Sequence, residues 1–227
     1  MPSRLGIETA RVRDRVENGD PYWPAQLSIG VAIALNLALA NQITIGPRFL
    51  LPAVEGVLLI ALIMIAPARA TVRRRGERRF ALAVIATVSL VTIVLVIRLV
   101  HQLVNGGSGV HGRPLVLSGA VLWVTNVLLF AVWYWEMDRG GPVARYQGTN
   151  EIVDFQFPQM DSPQFAPDRW RPGFLDYLYL SLTNSTAFSP TDTLPLTHTA
   201  KITMAIQGVT ALLIVGLVIA RAVNILG

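Results

Sequence analysis

Cysteine is absent from the 227 residues. No disulfide framework can form, and thiol chemistry is excluded. Histidine is scarce: His101, His111 and His198 are scattered, and no H-E-x-x-H spacing puts a zinc-ligand pair on one helix face. There is no G-x-S-x-G, no Walker sequence and no G-x-G-x-x-G following a strand. Gly106-Gly107-Ser108-Gly109 reads as a flexible turn, since no strand precedes it. Charge is also low, at 15% of residues against about 25% in soluble domains. An enzyme is not expected, and neither is a cofactor or a resident metal. The one enzymatic alternative is an intramembrane site built on Asp192 or Asp176.

Hydrophobic residues, by contrast, make up 52% of the chain, and the mean hydropathy is +0.50. They fall in blocks, and a bilayer takes roughly 20 helical residues to cross. Spans are predicted over Pro24–Ile43, Phe49–Ala66, Phe80–Val104, Pro114–Trp135 and His198–Asn224. Residues 1–23 form a basic segment, read either as a helix on the membrane surface or as a tail. Residues 24–135 hold four spans, the fourth ending in an interfacial Trp133-Tyr134-Trp135 belt. Residues 136–172 are a polar connector or cap, in which Phe155, Phe157, Phe165 and Trp170 are expected to fold down on something. Ala38-Leu39-Ala40 would suit a signal peptidase, but the charged region before it is long for a signal peptide, so an uncleaved span is expected. The net charge of +5 does not point to nucleic acid, because the arginines stand beside the spans. The arginine-rich stretch Pro67–Arg79 reads as a topology signal or as a contact with anionic headgroups. A multi-pass protein of the cell membrane, of the bacterial inner-membrane kind, with lipids as partners is the expectation.

Residues 173–227 organise the rest. Phe174–Thr186 is an apolar, aromatic-rich stretch of about 13 residues, too short to span at 1.5 Å per residue. A polar turn follows, and then a full span. Half-helix, turn and full helix make a re-entrant pore loop, and non-helical backbone at membrane depth is tolerated only inside protein or beside a water-filled cavity.

This stretch resembles the pore module of tetrameric potassium channels. In that family a pore helix ending in Thr precedes T-V-G-Y-G-D, and a Pro follows three residues after the Asp. Laid without gaps, Thr186 matches the helix-ending Thr. Ala187, Phe188, Ser189, Pro190 and Thr191 fall on the filter letters, and Asp192, Pro195 and Thr197 fall on the Asp, the Pro and a common Thr. Gly216 falls on an inner-helix glycine, while Ala211 stands at the usual hinge glycine. The resemblance covers under a quarter of the chain and implies a homotetramer passing monovalent cations. The family's filter uses left-handed backbone that glycine supplies cheaply. Here Ser189 precedes a proline, Pro190 has a fixed φ, and Thr191 is β-branched. A four-site carbonyl ladder is therefore not expected. The lining would be hydroxyls of Thr186, Ser189 and Thr191 with a ring of Asp192, which favours cations with weak or unknown potassium selectivity. Gln207 and Thr210 on the last helix are expected to face the pore. The plain alternative is that Ser-Pro-Thr-Asp-Thr is an ordinary turn.

Intramembrane charges mark function or helix locking. Glu55 and Arg98 fall at similar depth on antiparallel spans, so an ion pair is expected between them. Asn36, Asn126 and Gln207 are candidates for interhelical hydrogen bonds. Arginine clusters before the first and third spans put those two ends on the cytoplasmic side. The re-entrant loop then enters from the cytoplasm, opposite to potassium channels and resembling glutamate-receptor channels. Either the pore is inverted, or the span count is off by one, or the charge rule fails.

The expected fold is all-α and membrane-embedded, with five spans, one re-entrant pore helix and a filter-like loop. The expected function is a potassium-channel-like cation channel. The alternatives are a secondary transporter, which would show paired broken helices, and a non-conducting protein that reuses channel architecture.

Overall fold

A computed structural model describes residues 21–43, 56–57, 60, 75–105, 112–148, 150, 152–167, 170–186 and 192–226. Four long helices dominate it: α1 (Trp23–Ile43), α2 (Arg75–Asn105), α3 (Gly112–Met137) and, after shorter elements, α7 (His198–Leu226). Between α3 and α7 lie α4 (Pro142–Gln147), strand β1 (Phe155–Gln156), a single-turn α5 (Pro158–Asp161), the half-length helix α6 (Phe174–Thr186) and strand β2 (Leu194–Pro195). The sheet is minimal, with Phe155 opposite Pro195 and Gln156 opposite Leu194, antiparallel.

Among the described residues three helices, over Arg78–His101, Val116–Gln147 and His198–Ile219, are long and apolar enough to cross a membrane. α1 is also apolar over Trp23–Leu39. The observed α1, α3 and α7 match the expected spans to within about two residues. α2 starts at Arg75, five residues before the expected Phe80. Arginine and glutamate are good helix formers, and Arg78 in that added turn donates to the Glu136 carbonyl oxygen at 3.1 Å. The expected second span lies outside the described residues, apart from helical Gly56, Val57 and Ile60.

Side-chain contacts give the direction of each helix. Tyr22, just before α1, stacks edge-on against Trp135 near the end of α3, with centroids 5.1 Å apart. Further along, the Asn36 side-chain amide donates to Thr92 Oγ1 at 3.2 Å, and Leu39 packs with Leu95, Leu99 and Leu122. α1 and α2 are thus parallel, and both are antiparallel to α3. α7 is antiparallel to α3 as well, with Thr203 beside Met137 and Val218 beside Gly119. The bundle therefore has a cap end, which holds the starts of α1, α2 and α7 and the end of α3, and a far end. Two apolar clusters fill it. One, near the cap end, includes Val84, Val132, Trp135, Tyr177 and Leu180. The smaller one, toward the far end, is built on Leu99, Leu122 and Ile214.

The cap follows from local chemistry. Arg139, Gly140 and Gly141 adopt φ of 53°, 78° and 99° in succession, so α3 cannot continue. A side chain at Gly141 would sit 3.2 Å from the Glu136 carbonyl oxygen, and glycine alone takes this conformation cheaply. Pro142 then opens α4, and Gly148 closes it in a left-handed cap. Phe155 and Phe157 are buried under the cap and Trp170 is half-buried. Phe165 is 85% exposed, against expectation. It ends a short 3-10 turn opened by Pro163, which turns it away from the aromatic cluster.

α3 and α7 pack closely at Gly119, where an added Cβ would lie 2.1 Å from Val218 Cγ2. Gly119→Leu is expected to lower stability by about 1–3 kcal/mol, the usual cost of overpacking. Gly216→Ala, in open space inside a helix, should not lower it, since alanine is the better helix former. Thermal unfolding of the purified protein in detergent checks both.

Candidate functional site

α6 and the two ends of the segment after it form the candidate site. α6 opens with Asp176 in its first turn, where Asp176 Oδ2 accepts from the Gly173 N–H at 2.8 Å. A carboxylate there complements the helix dipole. Phe174, Tyr177, Leu180 and Ser181 are buried, while Leu175, Tyr179 and Leu182 face outward. The buried stripe follows the helical repeat and packs against α3. Tyr177 lies level with Asp138, Ser181 Oγ donates to the Val127 carbonyl oxygen at 2.7 Å, and the Ser185 carbonyl oxygen accepts from Trp123 Nε1 at 3.5 Å. α6 therefore starts at the cap end and ends partway down the bundle. With 1.5 Å of rise per residue, Trp123 lies about 20 Å below the end of α3.

At the outer end, a fully buried carboxylate holds three segments together. Asp138 Oδ1 accepts from the Asp154 and Phe155 N–H groups at 3.0 and 3.4 Å, and Oδ2 accepts from the Tyr177 hydroxyl at 2.6 Å. Asp154 carries the chain of bonds onward. Its Oδ2 accepts from the Arg139 N–H at 3.2 Å, and its Oδ1 accepts from the Thr197 hydroxyl at 2.6 Å. Thr197 Oγ1 in turn accepts from the Ala200 N–H at 3.2 Å, which caps α7. The Leu196 N–H donates to the Asp154 carbonyl oxygen at 2.8 Å. Arg145 on α4 donates to the Trp135 and Asp138 carbonyl oxygens at 3.0 Å each, satisfying the end of α3. Its guanidinium lies 4.9 Å over the Tyr177 ring. Burial pushes the Tyr177 phenol well above its ordinary range, and the nearby Arg145 charge pulls the other way. The phenol thus stays a donor to Asp138.

At the inner end sits a second network. Gln207 on α7 is fully buried. Its Nε2 donates to the Ser181 carbonyl oxygen at 2.9 Å and to Ser181 Oγ and Ser185 Oγ at 2.7 Å each. Its Oε1 accepts from the Tyr134 hydroxyl and from Asn184 Nδ2, the latter at 2.9 Å. Asn184 Nδ2 also donates to the Met204 carbonyl oxygen at 3.0 Å. Gln207 was expected to face a pore and does not: an amide in apolar surroundings needs partners, and α3 and α6 supply them. Thr210 is half-exposed, and its hydroxyl donates to the Ile206 carbonyl oxygen at 2.8 Å.

Of the expected filter residues, Thr186 is exposed at the inner end of α6 and Asp192 is exposed, two residues before β2 begins at Leu194. Ala187, Phe188, Ser189, Pro190 and Thr191 lie outside the described residues. Arg98 is exposed on α2, while Glu55 lies outside the described residues, and the expected pair with it. A groove of about 660 Å³ runs along α7 past the end of α6, with Thr186, Lys201, Gly208 and Val215 in its walls. Among the described residues no cluster of acidic and histidine side chains is arranged to hold a metal ion.

Gln207 was expected to bond between helices and does so, but its partners, and the whole of the outer anchor, were not foreseen. The signal for the inner one was present, since Ser181, Asn184 and Ser185 recur at helical spacing on one face of α6. The outer one, Asp138 with Asp154, carries no local signal. Comparison with family models, curated proteins and solved structures finds no match.

Asp138→Ala would leave two buried N–H groups and the Tyr177 hydroxyl without their acceptor, at about 1–3 kcal/mol for each unmet group. A clear fall in detergent unfolding temperature is expected, smaller for Asp138→Asn, which keeps one acceptor oxygen. Gln207→Leu should cost about 2–4 kcal/mol by the same reasoning. Gln207→Glu at low pH, where a protonated acid can donate and accept in its place, should recover part of that loss in the same measurement.

Proposed function

We propose that the chain is one subunit of a homotetrameric, potassium-channel-like cation pore in the cell membrane. It has five spans, α6 is its re-entrant pore helix, and potassium selectivity is weak or unknown. The observation that carries this reading is where α6 begins and where β2 lies. α6 starts beside Asp138 and ends level with Trp123, yet β2, eight residues after Thr186, is paired with β1 beside Asp138. A helix that goes about halfway in, followed by a return to the same end, is what a pore loop requires. The parallel course of α1 and α2 supports the span count, because residues 44–74 join the far end of one to the cap end of the other.

The C-terminal end of α6 directs its partial negative charge inward, toward where a cation would sit. Exposed Asp192 adds a carboxylate near the mouth. One copy encloses no conduit, so the reading needs several. α7 leaves a broad apolar face uncovered, including Ile202, Ile206, Val209 and Leu213, as neighbouring subunits and lipid would demand. A secondary transporter would carry paired broken helices, and among the described residues only α6 is of this kind.

Potassium and sodium flux into liposomes containing the purified protein tests the reading. Flux of both cations, reduced several-fold by Asp192→Ala, is expected. No flux of either ion from folded, tetrameric protein would overturn it in favour of a non-conducting membrane scaffold.

A further inference from the structure

We infer that the cap end of the bundle faces the anionic cytoplasmic leaflet, so that the re-entrant segment opens into the cytosol. The structure settles which basic residues share an end. Arg78 and Arg79 lie in the first turns of α2, and Arg78 Nε is 4.0 Å from Glu136 Oε2 at the end of α3. Arg75 opens α2; in the sequence, further arginines stand before α2 (Arg73, Arg74) and before α1 (Arg4, Arg11, Arg13, Arg15), outside the described residues. Arg139, Arg145 and Arg171 belong to the cap, and the only lysine of the chain, Lys201, lies in the first turn of α7.

The far end is poor in positive charge. Among the described residues it has Arg98 two turns before the end of α2, Arg113 at the start of α3 and Arg221 near the end of α7, and in sequence Arg48 follows α1. Lysine and arginine close to the ends of spans stay on the cytoplasmic side, and acidic residues weigh little in this choice. The acidic residues of the cap therefore do not offset its arginines. Each basic residue near an anionic surface also gains about 1 kcal/mol, so the asymmetry holds the cap end against the cytoplasmic leaflet.

The consequence concerns the direction of the site. Asp192 and the Asp154–Thr197 contact lie at the end that carries the arginines, and a cation would meet the carboxylates from the cytosol first. This inference needs the helices to cross the membrane but does not need the protein to conduct, so its test is independent of the flux measurement.

The absence of cysteine makes the test direct. Phe165→Cys places a thiol on the 85% exposed tip of the cap, and Ser108→Cys places one in the connector between α2 and α3. A membrane-impermeant maleimide is applied to intact cells and to inside-out vesicles, with denatured protein giving the total. Ser108→Cys should be labelled in intact cells, and Phe165→Cys only in inside-out vesicles. Any other pattern, including labelling of Phe165→Cys from outside or of both sites from both sides, overturns the inference.

Discussion

A carboxylate shut away from water has to find its hydrogen bonds inside the protein, and much of the cap depends on how Asp138 does so. It sits one residue past α3, fully buried, and takes two backbone N–H groups and a tyrosine hydroxyl. A buried polar group left without its hydrogen bonds is expensive. One side chain therefore brings the end of α3, the β1 segment and the start of α6 to a common point. Asp154 extends the same logic to Thr197 and the first turn of α7.

The inner network makes a second fixed point by the same physics with neutral groups. Gln207 ties α7 to two serines of α6, and Tyr134 and Asn184 close the ring from α3 and α6. Polar groups in apolar surroundings are stabilising when every member is satisfied and costly otherwise. The two networks hold α6 at both ends, and they leave Thr186 at one fixed level and Thr197 at another.

The rest of the bundle is less self-contained. Only 22% of the apolar window of α7 is buried within the chain, against 50% for the window that includes α3. α3 is the central helix, with α1, α2, α6 and α7 against it, and α7 is peripheral. An apolar peripheral helix is stable in hydrocarbon or against another subunit, so the surroundings of the chain complete its packing.

The sequence by itself determined the helical character, the bounds of α1, α3 and α7 to within about two residues, and the half-length of α6. These depend on hydropathy and on local breakers such as Arg139-Gly140-Gly141, which act over a few residues. It also marked Gln207 as a polar residue in need of partners. Tertiary structure decided which partners those were and which way each side chain turned. Gln207 faces inward because Ser181, Ser185 and Tyr134 lie far from it in sequence but close in the bundle. Asp138 became an anchor because Asp154 and Tyr177 are brought to it from 16 and 39 residues away. Contacts of that separation leave no periodic trace in a sequence, since any acceptor in reach would satisfy the same donor.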